Sequence, residues 1–279
     1  MSLNITSLNS GSNGNCYYVG NATDAVLIDA GISCREIEKR MTRLQLSLEC
    51  VRAVFISHEH TDHIRGVEVL AEKHQIPVYI NKSTLIHSRL NINNQLINDF
   101  YESDYIAFND LKIFPFTKLH DAADPYSFII ESYGIKVGVF TDIGKACKRI
   151  VHFFQQCHAC FLESNYDEQM LSEGNYPLQL KNRIRNGYGH LSNKQAFELF
   201  INHRPQFMSH LILSHLSQNN NKPELVKRLF RGNSQNVEII VASRNNETPV
   251  YKIAPIAGLG AVKQLKVQLK ARQLDLFGA

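Results

Sequence analysis

The segment Ser57-His58-Glu59-His60-Thr61-Asp62-His63 follows directly on the apolar run Val51 to Ile56. The run reads as a buried strand, and the polar segment behind it as the loop that leads into a helix. Three imidazoles and two carboxylates crowded into His58–His63 cannot be hidden in an apolar core. They must open together on one loop mouth, where a metal ion can collect them. Whatever this chain folds into must therefore present the end of that strand to a cleft.

Taken in order, the chain repeats this grammar of strand, polar end and helix. Leu3 to Leu8 alternates like a half-buried strand. Ser10-Gly11-Ser12-Asn13-Gly14-Asn15 is a loop of turn formers, open to two readings: a phosphate cradle built on Ser12 and Asn13, or a tight hairpin connection. Cys16–Val19 and Ala25–Ile28 are strands, and Asp29 behind them reads as a supporting carboxylate. Cys34–Leu44 and Ile64–His74 carry helical spacing, the second on Ile64, Val67, Leu70 and Ala71. Pro77–Ile80, an irregular stretch over Tyr101–Phe116, Tyr126–Ile130, Val137–Phe140, Leu211–Leu213, Glu238–Ala242 and Val250–Ile253 supply further strands, with helices at Lys82–Leu90 and Asn193–Ile201. Strands dominate both halves and helices lie between them. The expected fold class is α/β, a four-layer αββα sandwich over residues 1–253, followed by a Lys-rich tail over 254–279.

A chain of 279 residues can bury a full core. No apolar run approaches a membrane span, and the N-terminus lacks the charged start and long apolar stretch of a signal peptide, so a cytoplasmic protein is expected. Six cysteines in a chain this long are free thiols rather than a disulfide framework; Cys157 and Cys160 form the one close pair, with no second pair to complete a zinc knuckle. A net charge of +4 permits contact with a polyanion without requiring one.

Later strand ends add to the first cluster. His120 follows Phe114–Leu119, Asp142 follows Val137–Phe140, and His215 follows Leu211–Leu213. The series His-x-His-x-Asp-His, then His, Asp and His, resembles the metallo-β-lactamase superfamily, whose αββα sandwich is the fold expected above. The resemblance implies that His58, His60 and His120 hold one metal, that Asp62, His63 and His215 hold another, and that Asp142 bridges them. Two divalent ions would lower the pKa of water to give a hydroxide nucleophile and would clamp the attacking and leaving oxygens. Such His/Asp shells suit zinc or manganese and accept iron. His60 stands where the flavodiiron oxidoreductases of this superfamily have Glu, which favours hydrolysis over redox chemistry.

Function on this fold is set by the remaining residues. Glu163 in Leu-Glu-Ser-Asn and His190 in Gly-His-Leu-Ser resemble the acid pair of tRNase Z and related phosphodiesterases. There a histidine oriented by a carboxylate protonates the leaving oxygen, a step that an alkoxide leaving group needs. With Asp62 they form the expected catalytic set. Lys181, Arg183 and Arg185, with Ser192, read as a basic approach for a phosphate backbone, or as a solvated helix face. The motif set as a whole is similar to the YycJ (WalJ) family, described as DNA exonucleases working 5′ to 3′. The short stretch between Asp142 and His190 leaves no room for a β-CASP insertion. The tail ends in Gln273-Leu274-Asp275-Leu276-Phe277, which resembles the pentapeptide that docks on the bacterial sliding clamp through Gln273, Leu274, Leu276 and Phe277. The expected activity is thus a dinuclear-metal DNA exonuclease. The rival is a small-molecule phosphodiester or thioester hydrolase of the same fold.

Overall fold

The computed structural model describes residues 1–102, 104–255 and 270–271. Gln273, Leu274, Leu276 and Phe277 lie outside the described residues.

Strands β1 (Leu3–Asn9), β2 (Cys16–Gly20), β3 (Ala25–Ile28), β4 (Val51–Phe55), β5 (Val78–Tyr79) and β6 (Ile97–Asn98) lie side by side in chain order. Strands β7 (Asp104–Phe108), β8 (Leu111–Thr117), β9 (Tyr126–Ser132), β10 (Ile135–Phe140), β11 (Ala159–Glu163), β12 (His210–Ser214) and β13 (Glu238–Val241) form a second sheet, also in chain order. β14 (Tyr251–Ile253) returns to the free edge of β1, and β15 (Lys270–Ala271) pairs with β7. Both sheets are mixed: β3 to β6 and β10 to β13 run parallel, and the other strands pair antiparallel within each sheet except β15.

Period-two alternation in these strands feeds two cores at once. Tyr17, Val19, Val26 and Ile28 face the space between the sheets, where Val137, Val139, Ala159 and Phe161 meet them. Cys16, Tyr18, Ala25 and Leu27 face outward onto α1 (Cys34–Arg43) and, beyond α2 (Thr61–Ile64), onto α3 (Val67–His74). Ile37, Met41, Val67 and Leu70 close that layer, and α4 (Lys82–Ser88) adds Leu85. On the far side Phe140, Cys160, Leu162 and Leu213 meet α5 (Lys148–Phe154), then α8 (Asn193–His203) and α9 (Pro223–Phe230), which follow α6 (Glu168–Glu173) and α7 (Leu178–Arg185). Three apolar layers thus separate four layers of secondary structure, and the αββα expectation holds. Cys157 and Cys160 are buried free thiols that burial pushes well above the ordinary thiol pKa, so neither is a ready nucleophile.

Two local outcomes differ from the sequence reading. The stretch Tyr101–Phe116, read as irregular strands with an Asn109-Asp110 turn, is a regular hairpin of β7 and β8; its turn falls where expected, at Asn109, whose φ of 52° is left-handed. The helix expected over Ile64–His74 is broken at Gly66 into α2 and α3. The reason is close packing. Gly66 donates its amide to the Ala30 carbonyl at 2.8 Å, and a Cβ there would lie 2.0 Å from the Ile32 oxygen. Gly31 meets the same junction from the other side: a Cβ on it would lie 1.7 Å from the backbone oxygen of Asp62. Gly31→Ala should therefore push the Asp62 loop off β3, at a cost of about 1–3 kcal/mol in chemical denaturation. An unchanged denaturation midpoint would mean that the junction yields freely.

Candidate metal centre and cleft

β8 runs in the same direction as β10, β11 and β12, so His120, Asp142, Glu163 and His215 all emerge at one edge of the second sheet. β3 and β4 deliver Asp29 and His58–His63 to the facing edge of the first. Ligands gather at the carboxyl ends of parallel strands because the chain there must leave the sheet. Asp29, Asp142 and His215 make that exit with φ values of 62°, 53° and 57°. Non-glycine residues in this region are strained, and such strain concentrates at functional sites.

Three imidazole nitrogens converge first. His58 Nε2 lies 3.0 Å from His60 Nδ1, which lies 3.4 Å from His120 Nε2. The far ring nitrogens fix two of the tautomers. His120 Nδ1 donates to the Gly189 carbonyl at 2.9 Å, and His58 Nδ1 meets the Ser57 hydroxyl at 2.9 Å while that hydroxyl donates to Asp29 Oδ2 at 2.8 Å. Both Nε2 atoms are thereby left as lone pairs pointing at one spot. A second group joins Asp62 Oδ2 with His63 Nε2 at 3.7 Å and with His215 Nε2 at 3.5 Å. Asp142 stands between the groups: Oδ1 is 3.7 Å from His120 Nε2 and 3.5 Å from His215 Nε2, and Oδ2 is 3.1 Å from His63 Nε2. That Oδ2 is buried, and among the described residues its one close neighbour is the His63 ring, set outside good hydrogen-bond geometry. Converging lone pairs and a buried carboxylate oxygen so poorly satisfied fit a divalent metal.

The polar surroundings hold the donors rigidly. Asp29 Oδ2 accepts from His63 Nδ1 at 2.7 Å, and its Oδ1 takes the Ser57 amide at 2.8 Å. Glu163 Oε1 accepts from His215 Nδ1 at 3.0 Å and from His190 Nδ1 at 2.8 Å. Its Oε2 accepts the amides of Ile143 at 2.7 Å and Leu191 at 3.2 Å. Burial would raise Glu163, but His190 and its other donors hold it down at about 2. Burial likewise works against charge on His63, yet Asp142, Asp29 and Asp62 lift its pKa to about 10. Burial takes His120 down to about 4. Asp29→Asn keeps the left-handed backbone that Asn tolerates while removing the acceptor for His63. It should weaken metal binding about 10- to 100-fold in a competition titration, as loss of such supporting partners typically does.

A cleft of about 260 Å³ opens on this centre, lined by His60, Asp62, Asp142, His190 and His215 on one side and by Ser12, Asp121, Asn165, Tyr176, Leu180, Arg183, Ile184 and Ser217 around them. Of the substrate-binding candidates, Ser12 and Arg183 reach it. Arg183 is paired there with Asp121. The others do not. Asn13 gives its amide to the Arg244 carbonyl at 2.7 Å, Lys181 donates to the Ser172 carbonyl at 2.7 Å, and Arg185 bonds Asn182 at 2.7 Å. Ser192 is fully buried as the N-cap of α8, in a capping box with Gln195. The Ser10–Asn15 loop joins antiparallel neighbours β1 and β2, so the hairpin reading describes its topology. It also braces the centre. Ser10 Oγ accepts the His215 amide at 2.7 Å, and Asn15 Nδ2 lies 3.3 Å from Asp62 Oδ2 and 3.1 Å from His63 Nε2. Asn15, Asp121, Asn165, Tyr176, Leu180 and Ile184 were not singled out from the sequence.

Comparison with known proteins adds to this geometry. The profile of the metallo-beta-lactamase superfamily matches residues 10–129. An exodeoxyribonuclease YycJ of Bacillus anthracis is 34% identical over 230 residues, covering 81% of this chain and 87% of that protein. The chain belongs to the YycJ/WalJ family. The family's exodeoxyribonuclease WalJ of Streptococcus pneumoniae is 31% identical over 223 residues, covering 78% of this chain and 83% of the relative. Among solved structures, the metallo-beta-lactamase fold protein YhfI of Bacillus subtilis superposes with a TM-score of 0.70 at 15% identity, covering 90% of this chain and all (100%) of that one. The short form of human tRNase Z does so with 0.61 at 14% identity, over 89% and 99%. At those identities the structures speak for the fold, and the family membership rests on the two bacterial relatives.

Proposed function

We propose that this chain is a metal-dependent nuclease that degrades DNA from its 5′ end, acting in the cytoplasm. Two relatives named exodeoxyribonucleases support the reaction class. The observation that carries the reading is the pair Glu163–His190, bonded at 2.8 Å in the same cleft as the metal donors, with His190 Nδ1 3.7 Å from Asp142 Oδ1. A thioester expels a thiolate that needs no such acid, whereas a phosphodiester expels an alkoxide, a poor leaving group until it gains a proton.

In this reading His58, His60 and His120 would hold one divalent ion, Asp62, His63 and His215 a second, and Asp142 both. When bound, such ions neutralise phosphate charge and make water nucleophilic at neutral pH; zinc, manganese and iron all suit these donors. The chain's own residues do the rest. Glu163 spends Oε1 on His190 Nδ1, which leaves Nε2 without a partner among the described residues and free to hand a proton to the leaving oxygen. Arg183 and Ser12 stand at the mouth for phosphate oxygens. Domain 1–253 is the catalytic unit, and 254–279 is a tail whose Gln273, Leu274, Leu276 and Phe277 dock on a bacterial sliding clamp. Among the described residues no helix is long and apolar enough to cross a membrane.

The test is incubation with 5′- or 3′-labelled single- and double-stranded DNA and RNA, with zinc or manganese and then with chelator. Stepwise shortening from the 5′ end of DNA, abolished by chelation, is expected. Turnover of small phosphodiesters or thioesters with intact DNA would replace the nuclease by the rival hydrolase. Anisotropy of a labelled Gln273–Phe277 peptide with purified clamp tests the tail, and absence of binding removes that assignment.

A further inference from the structure

Leu180 and Ile184 are half-buried on α7, and Tyr176 is half-buried just before it; none of the three joins an apolar cluster of the core. All three line the cleft, facing a wall of imidazoles and carboxylates. An apolar wall opposite a phosphate-directed centre matches the two halves of a nucleotide, a flat base and a charged ester. The wall is also in register with the proton donor. His190 donates its amide to the Ile184 carbonyl at 2.8 Å, the Gly189 carbonyl holds His120, and a Cβ on Gly189 would lie 2.3 Å from the Ile184 oxygen. Asn186 pins the turn between them through the amides of Tyr188 at 2.8 Å and Gly189 at 3.1 Å. Tyr176 is fixed separately, its hydroxyl accepting from Asn219 Nδ2 at 3.0 Å. The cleft's 260 Å³ is on the small side of the ~300–1,000 Å³ of small-ligand sites, in keeping with a single base against this wall.

We propose, resting on the nuclease reading above, that Tyr176, Leu180 and Ile184 hold the base of the 5′-terminal nucleotide, unstacked from its neighbour, with its 3′ oxygen under His190. Cleavage then falls at the first phosphodiester. Water adds its oxygen to phosphorus and gives up a proton to solvent; the P–O3′ bond breaks with its electron pair going to O3′, which takes a proton from His190. Solvent reprotonates His190. The products are a nucleoside monophosphate and a strand one residue shorter with a new 5′ phosphate. A paired end must fray before it can enter, so single strands are taken ahead of blunt duplexes.

The test uses the full chain with its metal and a 5′-phosphorylated single-stranded oligonucleotide whose first residue is either thymidine or an abasic tetrahydrofuran. Loss of the stacking partner should lower kcat/KM about tenfold or more in the wild type. In Leu180→Ala and Tyr176→Ala the same comparison should narrow to within about threefold, the base having lost its wall. Binding of the two oligonucleotides to His190→Ala protein, followed by anisotropy, should show the same preference without turnover. Equal removal and equal binding of the two ends by wild-type and His190→Ala protein would overturn the base pocket while leaving the nuclease intact. Release of dinucleotides or longer fragments as first products would overturn it too. Failure to cleave any DNA while a small phosphodiester is hydrolysed would instead sink the nuclease reading.

Discussion

Replacing His190 by alanine is expected to lower kcat on DNA by about 10²- to 10⁴-fold, the usual contribution of a positioned general acid, while metal content stays at the wild-type level. His190 touches the metal donors only at a distance: its Nδ1 is committed to Glu163 at 2.8 Å and stands 3.7 Å from Asp142. Deleting it therefore removes a proton source and leaves the cation cage in place. Glu163→Gln should behave differently. The fully buried carboxylate receives four donors, from His190, His215, Ile143 and Leu191. An amide can offer only one oxygen to them, and its NH₂ must face donors. That variant should lose kcat, metal affinity and thermal stability together. Rate assays beside metal analysis separate the two cases, and a His190→Ala rate within threefold of wild type would remove the acid from the mechanism.

Asp142→Asn is expected to reduce activity by at least about 10³-fold and to cost the protein bound metal, since it loses the charge shared by both donor groups. Asn keeps the left-handed backbone at this position, so the loop should not move. Burial alone would raise Asp142, but His215 and His63 hold it well below the usual carboxylate range. The reciprocal effect sets a pH dependence. In the metal-free site His63 keeps its proton up to about pH 10, because neighbouring carboxylates outweigh burial. A metal must displace that proton, so apparent affinity should rise from pH 6 to pH 8. Isothermal titration in two buffers of different ionisation heat would register the released protons. Full metal content and activity in Asp142→Asn would contradict the bridging role.

The chain discloses this arrangement unevenly. His58, His60, Asp62 and His63 are legible because they crowd one strand end, and His120, Asp142 and His215 because each follows an apolar run. Backbone packing is what sequence spacing misses. Gly66 sits inside a faultless helical pattern and breaks it, since the Ile32 carbonyl passes too close for any side chain. Asn15 lay in a loop of turn formers, and its contact with Asp62 spans 47 positions. Ser192 shows the converse error: its Ser-x-x-Gln pattern is a capping box, so the hydroxyl is used at a helix start and unavailable to substrate. Tyr176, Leu180 and Ile184 carry ordinary helix-core chemistry and become informative only once the three core clusters are seen to exclude them.

The donors come from both sheets, and this has a consequence for the chain as it is made. His58, His60, Asp62 and His63 leave the ribosome early, but each donor group of the cleft that uses them is completed by His120, Asp142 or His215 from the second sheet. Synthesis must pass residue 215, and the two sheets must close on one another, before a cutting site exists. A nascent or half-folded copy of this chain thus holds none of these groups complete, and its hydrolytic chemistry is switched on by the completion of its own fold.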